Sequence, residues 1–168
     1  MQSLRPDHAE SLLAFELANR AYFAASISDR GDEYFQHFIE QHSALLSEQA
    51  SGAGAYYLLV ATDGSVVGRF NLTFDGDGIA KLGYRVAESA AGRGVATAAV
   101  RELCQIAASH HGVHTVRAAT ADANLASQRV LLKSGFVPVE PADPEDIGGK
   151  VGTWYERQLR ANGHQECR

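Results

Sequence analysis

The stretch KLGYRVAESAAGRGVATAAVREL, residues 81–103, decides the fold. It begins as a β-rich segment at 81–86, passes through a turn of small residues, and becomes a helix at Val95. Gly92 and Gly94 allow backbone conformations barred to other residues, and they leave no side chain between the main chain and a ligand. From Val95 onward, Val95, Ala99, Val100, Leu103 and Ala107 recur at three- and four-residue steps, while Arg101, Glu102 and Gln105 fall on the opposite face. The turn therefore sits on a helix N-terminus, where unpaired N–H groups and the positive end of the helix dipole favour an anion, most simply a phosphate. Two familiar phosphate loops fit poorly. A P-loop would close with Gly-Lys-Ser/Thr, where Arg93-Gly94-Val95 stands. A dinucleotide fold wants a third glycine at Thr97 and an acidic residue about twenty positions on, and Asp122 comes too late.

At 168 residues, 45% hydrophobic and 21% charged, the chain reads as one domain over 1–160 with a disordered tail over 161–168. A net charge of -5 argues against a surface built for nucleic acid or an anionic membrane. No apolar run reaches the roughly 18 residues of a membrane span, and residues 1–6 lack the apolar core of a secretion signal. A cytoplasmic protein, monomeric or homodimeric, is the expectation. Cys104, within the helix, and Cys167, in the tail, give no disulfide framework; both read as reduced thiols, Cys104 as a structural one.

Working outward, residues 3–5 read as an edge strand, and Asp7-x-x-Glu10 resembles a capping box opening a helix that ends near Asn19-Arg20. Phe35, Phe38, Ile39, His42, Leu45 and Leu46 predict an amphipathic helix over 32–49, closed by Ser51-Gly52-Ala53-Gly54. Strands follow at 56–61 and 66–74, joined by the Asp63-Gly64 turn, and lead into the strand at Ile79. After the central helix, 114–119 predicts a strand parallel to the Ile79 strand through a βαβ crossover. A helix opened by Asp122-Ala123-Asn124 runs to Lys133, and Gly135 stops it before strands at 136–139 and 153–159.

Gly92-Arg93-Gly94-Val95-Ala96-Thr97 resembles the pyrophosphate loop of the GNAT acetyltransferase superfamily, although Ala91 stands where that family has Gln or Arg. Asn124-x-x-Ser127-x-Arg129-Val130-Leu131-x-x-x-Gly135-Phe136 is similar to the last core motif of the Rim-type branch, which acetylates ribosomal-protein N-termini. Leu4-Arg5 and Phe15-Glu16-Leu17-Ala18-Asn19-Arg20 also resemble that branch. The resemblance implies an α/β fold with a mixed, mostly antiparallel sheet of about seven strands, a central parallel splayed pair and about four flanking helices. It implies acetyl-CoA as co-substrate, with the backbone at Tyr84, Arg85 and Val86 pairing with the pantetheine and Gly92 to Thr97 holding the pyrophosphate. Asn124 would bond the pantetheine, and Ser127 would lie near the thioester sulfur as the candidate catalytic acid. Read from the residues alone, Asn124 is equally an N-cap and Ser127 a solvated first-turn serine.

Acyl transfer to an amine needs a neutral nucleophile, a polarised carbonyl and a departing thiolate. The resemblance assigns the carbonyl to a backbone N–H near Val86. Some relatives carry a general-acid Tyr where this chain has Leu131, and a Glu where it has Ala119; both departures leave Ser127 as the acid candidate and the base unassigned. Glu140, Glu145 and Asp146 are base candidates that read equally as solvated loop charges. Deprotonating an α-amine of pKa near 7.8 costs about 1 kcal/mol at pH 7, against about 4–5 kcal/mol for a lysine. A missing strong base therefore favours an N-terminal α-amine as acceptor, with small amines open, and a CoA-binding module without catalysis or a nucleotide-binding regulator as rivals. Asn19, Arg20, Phe23 and Tyr155 are the acceptor-site candidates by resemblance, with Arg20 free to pair either with an acceptor carboxylate or with an acidic neighbour. Trp154-Tyr155 reads as pocket or as core. His110, His111 and His114 straddle a helix-to-strand break and make a poor metal set, so no metal is expected.

Overall fold

In the computed structural model, which describes residues 1–159, seven strands form one sheet in the order β1-β2-β3-β4-β5-β7-β6. The strands are β1 (Gln2–Ser3), β2 (Gly54–Val60), β3 (Val66–Gly76), β4 (Ile79–Val86), β5 (Thr115–Ala121), β6 (Val137–Ala142) and β7 (Gly152–Gln158). All neighbouring pairs are antiparallel except β4 and β5. That parallel pair is joined by the crossover helix α5 (Val95–His111), as the sequence predicts. β4 and β5 pair only from Ile79 with Thr115 to Lys81 with Arg117; beyond this the two strands diverge. The sheet thus has a gap in its interior, between 82–86 and 118–121.

Each face of the sheet is covered. Helices α5 and α6 (Leu125–Lys133) close one side over Phe70, Leu72, Leu82, Val116 and Phe136. The predicted stripe of α5 is the buried one: Ala99, Val100, Leu103 and Ala107 lie in this core with Cys104, while Arg101, Glu102 and Gln105 face solvent. Each fully buried residue of the size of Val100 or Leu103 contributes about 1.5–3 kcal/mol. The opposite face packs Leu58 and Tyr56 against Leu12, Phe15, Phe23 and Phe38. Those side chains come from α1 (Ala9–Ala18), α2 (Arg20–Ala24) and α4 (Phe38–Ser51).

Among the described residues six α-helices stand where about four are expected, because one short helix is added and one predicted helix is divided. The first helix ends at Asn19, as the sequence predicts: its backbone leaves the helical region and its side chain is bonded on both sides, and the unforeseen α2 follows it directly. The predicted helix over 32–49 is divided at His37 into α3 (Asp32–Gln36) and α4. This break turns Ile39 outward, 64% exposed, against the periodicity, while Phe38 and His42 stay buried. The Asp7-Glu10 capping box does not form: Asp7 pairs with Arg5, and a 3-10 turn at Pro6–His8 precedes α1, with His8 Nδ1 accepting from the Arg5 N–H. At the sheet's outer edges, β1 is two residues long and β6 carries Pro138 and Pro141. The tail expected from 161, and Cys167 with it, lie outside the described residues.

Candidate active site

The turn before α5 is built from backbone. Gly92 and Gly94 both take positive φ, 71° and 78°, and a Cβ at either would project into open space. Gly94 is the N-cap of α5, and no side chain caps that helix, so its first amides are left for a ligand. The turn ends a groove of about 420 Å³ lined by Tyr84, Arg85, Val86, Ala91, Gly92, Gly94, Val95, Ala96, Thr97, Asn124 and Ser127. Of the predicted co-substrate residues, only Arg93 lies outside the lining: its side chain is exposed and donates to the Ser89 carbonyl. The Ala87 N–H is used on the Val67 carbonyl. Alternation along an antiparallel strand then turns the N–H groups of Val86 and Tyr84 away from β3 and toward the gap.

A second cavity of about 360 Å³ meets the groove at Ser26, Ile27, Tyr84, Arg85, Asn124 and Ser127. It passes through the gap between β4 and β5 and is walled there by small residues, Gly83, Ala118, Ala119 and Ala121. Ala119, where some relatives have Glu, opens this space. Leu131, fully buried, sits on its lining, so no acid stands at that position.

At the junction, the Tyr84 hydroxyl and Ser127 Oγ lie 2.9 Å apart, and either can donate. Burial pushes the Tyr84 hydroxyl up to about 12, against the smaller opposing effect of Ser127, so it remains a proton donor at neutral pH. When Tyr84 donates to Ser127, the Ser127 proton is free to point into the groove. Asn124 Oδ1 accepts the Ser127 N–H at 3.1 Å and caps α6. The capping role is thus realised, and it fixes Asn124 at the mouth of both cavities. Ser127, by contrast, is half-buried and held by Tyr84 rather than solvated.

The acceptor-side candidates disperse. Phe23 lines the groove, with the Arg85 guanidinium over its ring at 5.3 Å. Asn19 accepts the Glu88 N–H and donates to the Phe15 carbonyl, tying α1 to the segment that leads into the glycine turn. Arg20 is occupied by Asp29 and Asp32, which decides its two readings for the acidic neighbours. Tyr155 is buried in the core beneath α5 and lines neither cavity, because inward- and outward-facing positions alternate along β7. Trp154 on the other face packs against Lys81 and Arg117. Of the three base candidates, Asp146 lines the inner cavity, whereas Glu140 pairs with Arg117 and Glu145 is an exposed loop residue. The three histidines make separate contacts: His111 with Tyr57, His110 with Ser109, His114 with Thr115.

What the sequence reading missed is a buried charge cluster beside the gap. Glu16, 1% exposed, accepts from Arg69 at 2.9 Å through one oxygen and from Arg85 at 3.1 Å through the other. Arg69 also donates to the Tyr34 hydroxyl. The signal was present on α1: Leu12, Phe15 and Glu16 fall on one stripe, and a carboxylate on an apolar stripe requires a buried partner.

A gap that admits an amide-bearing strand and delivers its phosphates to a helix N-terminus meets the requirements of a coenzyme A thioester; by class the protein is an acyltransferase. The chain matches the GNAT acetyltransferase domain over residues 1–137, and it belongs to that family, whose members use acetyl-CoA. Solved structures that resemble it include the ribosomal-protein-S5-alanine acetyltransferase from Vibrio fischeri, with TM-score 0.84, 18% identity, and 94% of this chain and 91% of that chain covered. RimL, a ribosomal L7/L12 alpha-N-protein acetyltransferase solved with coenzyme A, gives TM-score 0.83 and 16% identity over 96% and 94%. Mycobacterium smegmatis RimJ with a CoA-disulfide gives 0.80 and 21% over 92% and 78%. No curated protein matches the chain in sequence. Among the described residues, no helix is long and apolar enough to cross a membrane.

Proposed function

We propose that this protein acetylates a primary amine from acetyl-CoA, the acceptor being the N-terminal α-amine of a protein or peptide, and that it acts in the cytoplasm. The observation that carries this reading is the Tyr84–Ser127 pair standing where a backbone-built groove meets a second cavity through the sheet. Bound acetyl-CoA supplies an activated acyl group and a thiolate leaving group of pKa near 8.5 by analogy with cysteine. The amides of Gly92 to Thr97 hold its phosphates, and the N–H of Val86, directed into the gap, polarises the carbonyl. Ser127, its oxygen held by Tyr84, donates to the departing sulfur. Asp146 is, among the described residues, the carboxylate in the inner cavity, placed to take the acceptor's proton directly or through water. Two of the structures above are named for action on ribosomal proteins, which supports a protein acceptor.

Incubation with acetyl-CoA, a thiol reagent and a panel of peptides and small amines is expected to release thiol, with mass spectrometry placing the acetyl group on the α-nitrogen. The rate should rise with pH and level off near 8, the α-amine's own pKa; a lysine acceptor would climb toward 10. Acetylation confined to lysine side chains would overturn the N-terminal reading. Tight CoA binding with no turnover on any acceptor would establish instead a binding module, the outcome to which Ala119 and Leu131 in place of Glu and Tyr would then be assigned.

A further inference from the structure

The inner cavity is basic in a protein whose net charge is -5. Its lining carries Arg30, Arg69, Arg85 and Lys150 against one lining carboxylate, Asp146; with Glu16 behind Arg69 and Arg85, four cations face two anions. Lys150 donates to the Ser26 carbonyl, which fixes its ammonium at the rim. Arg30 is the least compensated of the four. Its guanidinium lies over the Tyr34 ring at 4.5 Å, its Nε is buried without a hydrogen-bond partner, and it forms no ion pair among the described residues. The excess is felt next door: burial, and then the like charge of Arg30, hold the Arg85 guanidinium below its ordinary pKa despite Glu16. The Nε is sealed from the cavity, but the guanidinium as a whole lines it with no carboxylate paired to it among the described residues, and a ligand carboxylate meeting its terminal nitrogens supplies the missing counter-charge.

We propose that the Arg30 side of this cavity is a subsite for a carboxylate carried by the acceptor, close behind the amine that is acetylated. A cavity of 360 Å³ would be about 9 Å across if round and is longer if irregular, so the reacting nitrogen at the Ser127 end and the carboxylate at the Arg30 end are separated by a distance on the order of two to three extended residues. An extended chain advances about 3.3–3.6 Å per residue, so the carboxylate belongs to an acidic side chain at the second or third position of a peptide. Planar guanidinium groups suit a carboxylate, which they bind in two-point fashion. The proposal rests on the acyltransferase reading above and adds to it the chemistry of the acceptor.

The test uses peptides identical except at positions two and three, which are Asp-Glu, Asn-Gln or Lys-Arg, with free glutamate as a fourth acceptor. Each is assayed for thiol release and, separately, titrated by calorimetry into the protein saturated with CoA. The acidic peptide is expected to show a KM and a Kd roughly tenfold or more below those of its neutral isostere, the scale of a hydrogen bond to a charged group. Arg30→Gln should remove most of that preference and Lys150→Gln part of it, with CoA affinity unchanged in both; Arg69 is left intact because its pairing with Glu16 is part of the core. Turnover with equal KM for acidic and neutral peptides overturns the subsite while leaving the acetyltransferase reading in place. Preferential binding of the acidic peptide without turnover does the reverse. Free glutamate used as well as the acidic peptide upholds the subsite and assigns it to a small amino acid's own carboxylate.

Discussion

The two cavities that meet at Ser127 are built in opposite ways. The outer groove is made of main chain: two positive-φ glycines, an uncapped helix terminus and the inward N–H groups of β4. The inner cavity is made of side chains delivered from separate elements: Arg30 from the loop before α3, Arg69 from β3, Arg85 from β4, and Asp146 and Lys150 from the segment before β7, with Glu16 of α1 backing two of the arginines. A main-chain site needs only the absence of side chains along one short stretch. A side-chain site needs the whole sheet to be in register before its members meet. The first tolerates sequence change wherever a Cβ does not intrude, while the second is rewritten by any single charge.

The largest effect is expected where the side-chain site doubles as core. Glu16→Ala leaves two guanidinium groups without their buried counter-ion and should cost about 3–5 kcal/mol of stability, read by denaturant unfolding. A loss under about 1 kcal/mol would show that the cluster is solvated and not integral to the fold. Gly94→Val probes the main-chain site: at φ 78° a β-branched residue is strained by about 1–3 kcal/mol and its side chain enters the groove. CoA affinity should fall about 100-fold or more with the domain still folded; unfolding instead would reduce Gly94 to a structural turn residue. At the junction, Ser127→Ala should lower kcat about 10- to 100-fold with CoA Kd unchanged, and Tyr84→Phe by severalfold. An unchanged kcat in Ser127→Ala would remove it from the chemistry. The smallest effect concerns alkaline pH. A hydroxyl raised to about 12 keeps its proton until pH climbs through that value, so the plateau reached near pH 8 should extend past 10 in the wild type. A decline centred near 10 would mean that Tyr84 titrates as an ordinary tyrosine.

The same division explains what could be read in advance. The meander, the crossover, α5 with its buried stripe and the glycine turn are local patterns, and all are legible in residues 56–119. The candidate co-substrate positions were named from the family resemblance, and all of them but Arg93 line one groove. The end of the first helix near Asn19 was legible, but its resumption as α2 and the division at His37 were not. Helical periodicity continues through His37, and Asn19 is held by bonds to Phe15 and to Glu88, the latter distant in sequence. On the acceptor side the sequence left two readings open that only the fold decides: Arg20 is taken by Asp29 and Asp32, and the β7 register turns Tyr155 into the core. Arg30, Arg69 and Lys150 gave no local sign, since nothing near them in sequence indicates a shared cavity.

The edges of the sheet bear on how a peptide arrives. Two-residue β1 and the prolines of β6 deny an incoming strand a continuous ladder of donors and acceptors at the periphery. The splay between β4 and β5 leaves such groups open inside the sheet instead. An extended chain seeking main-chain partners is thereby steered away from self-association at the rim and toward the centre of the molecule. Resistance to edge-to-edge aggregation and admission of a strand-like ligand are two outcomes of the same distribution of unpaired backbone.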